Sequence, residues 1–544
     1  MSTVTEAEET ATDEAAPPPA RKAPRGRLPW LVAGIALIVW GVGAFVVSTG
    51  YDAPREFGAL APNLPVNDGA RNPLDISATN SPSLVRNPVD PANLVVTSKI
   101  DSPRYSCGVS VSFDGGGRWT QTAIPVPAGV TGPCYAPDAV FGADGTLYLS
   151  FVTLTGRANS PDAAYLTMSA DGGKTLAPPR ETPLGARAFH SRLSADPKVP
   201  GRLYLTWVAA SEIGLYRFSQ PGNPINAIRS DDGGRNWTQP TRVSSPARER
   251  AIAPSPVVGP DGALNVLYLD LGDDELDYAG GHGGRSGRAY DGDWELVLAR
   301  SRDGGKRWEE SRVGTVKPAQ RFIVFTPPFP SLAIDQRSGK LFASFTDKRA
   351  GDADVSLWSL DPGAERWSGP VRVNDTPRAD GTAQYQPRLA VTPGGRLDVL
   401  YYDRRRDRTN RLNEVSFQSS FDGGETFRPH VRLSDKAFSS RIGFGADRGM
   451  ADLGGRLGLV SDDRRALAVW TDTRAGTRIS AKQDLARGLV AFNDPPRLSD
   501  SSKTLLRVSA LALILVGLAV AIGLGVLGGP RAPTVRRGGR VPGR

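Results

Sequence analysis

The sequence predicts an all-β protein, a β-propeller flanked by two transmembrane helices. Three observations predict this fold: a turn motif that recurs along most of the chain, a strand motif that precedes each copy, and an apolar segment near each terminus. With 544 residues, the chain is long enough for one large repeat domain between the two apolar segments.

The turn motif, called the box below, has the form S-x-D-G-G-x-x-W. In such a turn an aspartate accepts hydrogen bonds from backbone N–H groups, and paired glycines adopt positive φ. The box therefore predicts a hairpin clamp between the last two strands of each repeat, and its chemistry is structural. Each box begins with a serine: Ser112, Ser169, Ser230, Ser301, Ser359 (a degenerate copy) and Ser420. The corresponding aspartates are Asp114, Asp171, Asp232, Asp303, Asp361 and Asp422.

The strand motif is a turn followed by alternating apolar and polar residues, as in GTLYLSFV from Gly145 or GRLDVLYYD from Gly395. This alternation indicates a half-buried strand. Together with the box it gives four strands in roughly 60 residues, which is typical of one propeller blade. Counting the strand motif predicts seven blades, with six as the alternative, and residues 57–80 are expected to supply a closing strand.

The two apolar segments, 28–50 and 505–529, each exceed the ~20 residues that a helix needs to span a bilayer. Basic residues lie on the terminal side of both segments, so the positive-inside rule places both tails in the cytoplasm and the propeller outside the cell membrane. A cleaved signal peptide is the alternative for the first segment. The predicted parts are a tail 1–27, a linker or closing strand 51–74, a propeller 75–490, a linker 491–504 and a basic tail 530–544.

Charge and cysteine content narrow the partners and the compartment. Five arginines of the C-terminal tail account for much of the net charge of +9, and no nucleic-acid motif is present, so a nucleic-acid partner is not expected. Cys107 and Cys134 both lie in the external part, where one disulfide is expected, with two unpaired thiols as the alternative.

The boxes resemble the Asp-box, or bacterial neuraminidase repeat, of the sialidase superfamily, and the resemblance covers most of residues 75–485. It implies an Asp-box β-propeller. In catalytic members of that superfamily an arginine triad holds the substrate carboxylate beside a Tyr–Glu nucleophile pair and an aspartate acid/base. The superfamily also contains binding and assembly proteins, so the resemblance does not by itself imply catalysis. Its Phe/Tyr-Arg-Ile/Leu-Pro motif is absent ahead of the first box, where Arg104 stands alone.

Candidate site residues lie where inner strands start and therefore face the central channel. Three arginines converging there could bind a carboxylate through bidentate hydrogen bonds. The alternative is that these charges pair with neighbouring blades at the rim. Asp138, Arg192 and Arg388 stand at such starts, and Arg441 lies just ahead of the last inner strand. Tyr385, three residues before Arg388, and Glu212, after the second-blade strand, are the candidate partners.

A second set of charges repeats as D-x-R after three of the second strands: Asp347/Arg349, Asp403/Arg405 and Asp472/Arg474. Repetition at equivalent sites favours inter-blade salt bridges over a catalytic centre. An insertion at 270–294 contains Asp273, Asp274, Glu275 and Asp277, whose oxygens could bind calcium. Without EF-hand spacing, a solvated acidic loop is the favoured interpretation, and no cofactor is predicted.

Two functions follow from these observations. The favoured one is a membrane-anchored recognition platform for glycan or protein ligands on the extracellular side. The alternative is a divergent glycoside hydrolase of exo-α-sialidase type, which would cleave terminal acidic sugars through a channel-facing arginine cluster.

Overall fold

The computed structural model describes residues 28–48, 57–127, 129–156, 159–210, 222–274, 290–319, 329–443, 453–493 and 500–526. They belong to two compact units, one spanning 57–493 and the other containing the chain ends. The first unit is an all-β propeller, and the second contributes two apolar helices.

The propeller has seven blades, each built on four antiparallel strands, so the predicted count of seven is confirmed. An outer strand β1 (Phe57–Pro65) is followed by a short 3₁₀ helix (Asp68–Arg71) and then by blade 1. The strands of blades 1 to 3 are β2 (Thr79–Arg86), β3 (Leu94–Ile100), β4 (Ser106–Ser112), β5 (Thr120–Gln121), β6 (Cys134–Phe141), β7 (Leu147–Thr155), β8 (Ser160–Ser169), β9 (Arg180–Glu181), β10 (Ala188–Ala195), β11 (Leu203–Ala209), β12 (Ile225–Ser230) and β13 (Thr241–Arg242).

Blades 4 to 6 follow the same order from the inner strand outward. Their strands are β14 (Ala251–Val258), β15 (Leu264–Asp270), β16 (Trp294–Ser301), β17 (Glu309–Val316), β18 (Ser331–Ile334), β19 (Leu341–Asp347), β20 (Asp354–Leu360), β21 (Ser368–Arg372), β22 (Gln384–Val391), β23 (Leu397–Asp403), β24 (Leu412–Ser420), β25 (Val431–Arg432) and an extra β26 (Phe438–Ser439). Blade 7 consists of β27 (Gly458–Ser461), β28 (Arg465–Asp472) and β29 (Asp484–Phe492) together with β1.

The ring closes by pairing the two ends of the propeller. Strand β1 runs antiparallel to β29, with Phe57 opposite Phe492 and their rings stacked at 5.1 Å. Each inner strand contacts the inner strands of the blades on both sides, including β27 with β2. The expected closing strand from residues 57–80 is therefore β1, and the chain enters and leaves the propeller side by side.

The box turns join the third and fourth strands of a blade, at what we call the lower face. In blade 1 the Ser112 hydroxyl donates to Asp114 (2.8 Å) and accepts the N–H of Gly116 (2.9 Å). Asp114 also accepts the N–H groups of Gly117 (2.8 Å) and Arg118 (2.9 Å). The turn is thus clamped as predicted. The same serine and aspartate bonds recur at Asp171, Asp232, Asp303 and Asp422.

The degenerate box at Asp361 departs from this arrangement, which corrects the expectation of six equivalent aspartates. Its carboxylate pairs with Lys340 at 3.0 Å and, among the described residues, accepts no backbone N–H. Pro362 replaces a box glycine, and Trp367 lies one residue farther from the aspartate than in the other boxes. The donors at the usual offsets therefore no longer face the carboxylate.

The D-x-R elements form inter-blade salt bridges, as the repetition predicts. Arg405 binds Asp403 of its own blade (2.5 Å) and Asp375 of blade 5 (2.6 Å). Arg474 pairs in the same way with Asp472 and with Asp435 of blade 6. In the remaining element Arg349 reaches from blade 5 to Thr315 of blade 4.

The two helices, α1 (Leu28–Ser48) and α2 (Asp500–Val526), pack antiparallel within their own unit. Glycines allow a close approach: a Cβ added at Gly517 would lie 2.6 Å from the carbonyl oxygen of Gly34. At the other end Arg507 donates to the carbonyl of Ser48 at 3.2 Å. Residues 29–48 and 503–523 are long and apolar enough to cross a membrane. Small residues at such a contact are typical of helices that pack in lipid.

Candidate functional site

Inner strands of the propeller share a backbone kink near their first residues, at the upper face opposite the boxes. Five non-glycine residues there have positive φ: Ser81 (54°), Ala136 (47°), His190 (51°), Ala253 (56°) and Gln386 (57°). The pairing register shifts at each kink, for example between Tyr135 and Asp138. Proline follows the kink in four of these strands, where the unpaired strand edge faces the channel and no ladder N–H is lost.

The kink brings one residue from every blade to an equivalent place in the channel. Two residues after the kink stand Ser83, Asp138, Arg192, Ser255 and Arg388, while Arg456 follows Gly454 (φ 81°) by the same offset and Ser331 starts its strand. All seven line the central cavities. We call this set, in chain order, the channel ring: Ser83, Asp138, Arg192, Ser255, Ser331, Arg388 and Arg456.

Asp138 is the only carboxylate of the channel ring, and it is almost fully buried. It accepts hydrogen bonds from the Ser83 hydroxyl (2.9 Å) and the backbone N–H of Leu193 (3.1 Å). Two guanidinium groups pair with it, Arg192 at 3.3 Å and Arg456 at 3.4 Å. One carboxylate thus neutralises part of the charge of two arginines.

The third arginine of the ring, Arg388, has no such partner. Within the described part of the chain it forms no ion pair or hydrogen bond, and its Nε is shielded from solvent. Burial and the neighbouring Arg192 lower the pKa of Arg388 to about 10, against a smaller opposing effect of Asp138. Since the pKa stays well above neutrality, Arg388 remains a cation and the ring carries more positive than negative charge.

Arg456 has the same electrostatic surroundings. Burial and Arg192 lower its pKa to about 10, Asp138 opposes this, and Arg388 adds further repulsion. A guanidinium next to two others is stabilised by any anion that enters between them, because the anion relieves both the repulsion and the unmet hydrogen-bonding demand. The charge of the channel ring therefore favours an anionic group over a cationic one, and carboxylate geometry suits bidentate arginine contacts.

Three neighbouring cavities lie along the channel, and Arg192 lines all of them. The upper cavity is also lined by Arg456 and is walled by Tyr135, His190 and Phe329. The middle cavity is lined by Arg192, Arg388 and Arg456. The lower cavity is lined by Asp138 and Arg388 as well.

The structure brings together only part of the predicted site. Asp138, Arg192 and Arg388 meet in the channel ring as expected, although nothing in the geometry assigns them a catalytic role. Arg441 is exposed on the upper face and does not line the three cavities. Its predicted place is filled by Arg456, because the inner segment of blade 7 starts at Gly454, well after Arg441.

Of the predicted Tyr–Glu pair, the described residues include only the tyrosine, and it does not lie beside these arginines. Tyr385 lies in blade 6, where its hydroxyl donates to Asn413 (2.7 Å) and accepts from Arg404 (3.3 Å), and it does not line the three cavities. Glu212 lies outside the described residues. Tyr135 is the tyrosine of the upper cavity, and its hydroxyl accepts from Lys99 (3.3 Å).

Sequence reasoning missed Arg456 although a signal was present. The tripeptides around the kinks of blades 1 to 4 and 6 read S-P-S, A-P-D, H-S-R, A-P-S and Q-P-R, and the tripeptide of blade 7 is G-G-R at 454–456. Because blade 7 lacks a box, box spacing does not mark where its inner strand begins. Aligning the kinks instead of the boxes identifies the seventh ring residue.

The remaining site candidates have structural surroundings. The sulfur atoms of Cys107 in blade 1 and Cys134 in blade 2 are bonded to each other, so a disulfide links the two blades. Of the calcium candidates, Asp273 is exposed and Asp274 accepts a hydrogen bond from Trp294 at 2.9 Å. Glu275 and Asp277 lie outside the described residues, and the described ones contain no cluster of three metal-ligating side chains.

Comparison with known proteins identifies no family. No family model and no curated protein sequence matches the chain. Among solved structures, the α-L-arabinofuranosidase Arb93A of Fusarium graminearum is 14% identical, covering 66% of this chain and 98% of its own, with a TM-score of 0.42. A PL25 ulvan lyase is 12% identical over 73% of this chain and 92% of its own (TM-score 0.43), and the NanB sialidase of Streptococcus pneumoniae is 11% identical over 59% and 65% (TM-score 0.37).

All three TM-scores are below 0.5, and the propeller fold of this protein is established by its own strand pairing. At such low identity the likeness concerns architecture alone. What the channel binds must be argued from its own residues.

Proposed function

We propose that this protein is a membrane-anchored, extracytoplasmic recognition platform whose channel ring binds the acidic group of a glycan or protein ligand. One observation carries the proposal: three arginines face a single aspartate in the channel, and Arg388 has no partner among the described residues. An uncompensated buried cation is costly for folding, so its presence at a solvent-connected cavity indicates that a ligand anion completes the site.

Membrane anchoring is supported by the second unit and by the flanking charges. Two helices of spanning length pack antiparallel, an arrangement that supports a topology with both chain tails on one side of a bilayer. Four basic residues precede the first apolar segment and five arginines follow the second, more than stand on the propeller side of either segment, which favours a cytoplasmic location for both tails. The disulfide between Cys107 and Cys134 suits an oxidising compartment for the propeller.

A binding role is favoured over catalysis because, in the part of the chain that the structure describes, the predicted tyrosine and aspartate of a catalytic site are both engaged with other groups of the protein. The tyrosine expected next to them, Tyr385, is committed to Asn413 and Arg404 in blade 6. Asp138, the one acid of the ring, is held by Ser83, Leu193 and two arginines. Both oxygens of this carboxylate are therefore already engaged by groups of the protein.

The test uses the full chain in lipid nanodiscs, screened against acidic glycans and peptides together with neutral counterparts of the same size. We expect binding to the acidic members only, and at least a tenfold loss in Arg388→Ala, the order expected when a charged hydrogen-bond partner is removed. Arg441→Ala is the matched control, since Arg441 is an exposed arginine outside the ring. Equal affinity of Arg388→Ala and wild type contradicts the proposal.

The second candidate, a divergent exo-α-sialidase, rests on the same arginine cluster with Asp138 in the channel. A fluorogenic sialoside assay on the full chain distinguishes the two. We expect no turnover above that of Arg388→Ala. Turnover by the wild type and by Arg441→Ala that disappears in Arg388→Ala would establish the hydrolase instead.

A further inference from the structure

The walls of the upper cavity differ in chemistry from its floor. Arg192 and Arg456 lie at the floor, where the upper and middle cavities meet. Much of the wall is apolar and comes from the ends of strands in blades 2 and 3 and from the segment before blade 5: Val152, Pro161, Ala188, Phe189 and Phe329. Phe329 lies directly above the floor, its ring 5.9 Å from the Arg192 guanidinium.

Three polar side chains of that wall, those of Ser81, Lys99 and His190, already have partners within the protein. Lys99 donates to Asp101 (2.9 Å) and to the hydroxyl of Tyr135 (3.3 Å). Ser81 donates to Asn80 (3.0 Å) and accepts the N–H of Gly455 (2.9 Å). His190 accepts the N–H of Ala253 (3.3 Å) and lies edge-on to Phe329 at 5.1 Å.

A sugar ring needs hydrogen-bond partners for several hydroxyl groups, and hydroxyls that lose water without such partners weaken binding. A compact apolar group instead gains from contact with an apolar wall. The floor requires an anion and the wall favours an apolar body. We propose that the upper cavity and the channel ring together bind a monocarboxylate carried on a compact apolar body, with the carboxylate between Arg192, Arg388 and Arg456 and the body against Phe329 and Val152.

This inference deepens the proposed function, on which it rests, by choosing among acidic ligands. Two sources offer the same chemistry: the C-terminal residue of a peptide with an apolar side chain, and a short free fatty acid. Both present one carboxylate within a few bonds of an apolar group, whereas acidic sugars surround the carboxylate with hydroxyls.

Isothermal titration calorimetry on the full chain in nanodiscs tests it, with empty nanodiscs subtracted. The probes are N-acetyl-L-leucine, N-acetyl-L-leucinamide, D-glucuronate and N-acetylneuraminate. We expect N-acetyl-L-leucine to bind about tenfold or more tightly than either acidic sugar, since burying a leucine-sized side chain is worth at least that factor. The uncharged leucinamide should not bind.

Two variants locate the contributions. Phe329→Ala should weaken the binding of N-acetyl-L-leucine by about tenfold and leave the affinity for D-glucuronate unchanged, because only the apolar body contacts the Phe329 side chain. Arg388→Ala should weaken the binding of every carboxylate, and Arg441→Ala should weaken the binding of none. A circular-dichroism melt of each variant confirms that it is folded before titration.

The outcomes separate this inference from the proposed function. An acidic sugar that binds as tightly as N-acetyl-L-leucine overturns the inference and leaves carboxylate recognition standing. Absence of binding by all carboxylates, or equal binding of the leucinamide, overturns both.

Hexanoate and a leucine-ending octapeptide, with a free or an amidated C-terminus, identify the source. Tight binding by the free-terminus peptide supports a peptide end. Binding by hexanoate and N-acetyl-L-leucine without the peptide supports a small free acid.

Discussion

The box turns and the channel ring both recur around the propeller. The box turns repeat residue types as well as backbone conformation, whereas the channel ring repeats backbone conformation only. At the lower face the box repeats residue types as well as backbone: serine, aspartate and glycine occupy the same places, and their hydrogen bonds are satisfied locally. Asn236, through its backbone N–H and its side chain, lowers the pKa of Asp232 to about 2 without any contribution from another blade. Such a turn stabilises its own hairpin and needs no ligand.

In the channel the kinked backbone repeats while the side chains change. Serine stands in the ring of blades 1, 4 and 5, aspartate in blade 2 and arginine in blades 3, 6 and 7. Their interactions cross from blade to blade, and their charges do not balance. The contrast separates a repeat that specifies the fold from one that specifies a site. The predictions below test it from the largest expected effect to the smallest.

Removing the ring's only carboxylate should have the largest effect. Asp138→Asn leaves Arg192 and Arg456 without their counter-ion. Breaking a buried ion pair on one side costs about 3–5 kcal/mol, so the free energy of unfolding should fall by that order. Denaturant unfolding followed by tryptophan fluorescence measures it. Asp361→Asn, at an exposed box aspartate paired with Lys340, is the control and should change stability by less than about 1 kcal/mol.

The disulfide between blades 1 and 2 comes next. It closes a loop between residues 27 apart, and the chain-entropy relation assigns such a cross-link about 3 kcal/mol. The double variant Cys107→Ser/Cys134→Ser should therefore melt at a lower temperature than the oxidised wild type. Its melting temperature should equal that of the reduced wild type. Unchanged melting on reduction would show that the inter-blade packing alone holds these strands.

The box glycines should show a smaller and position-specific effect. Gly115 and Gly116 both have positive φ, at 72° and 90°, but only at Gly116 would an added Cβ overlap a neighbour, Leu467 of blade 7. Gly115→Ala should cost about 1 kcal/mol of backbone strain, and Gly116→Ala a further 1–3 kcal/mol from overpacking. Equal losses in the two variants would mean that the box does not pack on the adjacent blade as described.

A pH dependence of about 1 kcal/mol should come from His190. Burial and Arg192 lower its pKa to about 4, against 6.5 in the unfolded chain. Between these values the unfolded chain binds a proton that the folded chain does not, so stability falls as the pH drops below 6.5. At pH 5.5 the loss relative to pH 7 should be about 1 kcal/mol and should disappear in His190→Gln. An identical loss in that variant would assign it to other groups.

The sequence predicted the features in which each repeat carries its own signal. Box spacing and strand alternation are local, and they were sufficient for seven blades, for the closing strand and for the hairpin clamps. The D-x-R bridges were also predictable, because repetition itself indicated a structural role.

The site was harder to predict because it depends on which residues meet across blades. Position at inner-strand starts predicts Asp138, Arg192 and Arg388, but it indicates Arg441 where the structure has Arg456. The structure differs from this prediction in where the last inner strand begins. The sequence does not mark that start, because a positive-φ kink has no fixed residue type. Tyr385 was misplaced for a related reason: it precedes the kink and points into blade 6, where Asn413 and Arg404 hold it.

The smallest predicted change in stability has the opposite sign. Arg388→Met keeps much of the side-chain volume and removes a buried cation that repels Arg192 and Arg456 and has no partner in the described structure. Since replacing an uncompensated buried charge by an apolar group is neutral or favourable, stability should stay equal or rise by up to about 1 kcal/mol. Denaturant unfolding measures the stability of the variant, and titration with acidic ligands measures its binding. A variant that is at least as stable as wild type yet no longer binds acids would show that Arg388 serves the ligand rather than the fold. A loss of more than about 1 kcal/mol would instead place Arg388 among the structural residues of the propeller, with the boxes.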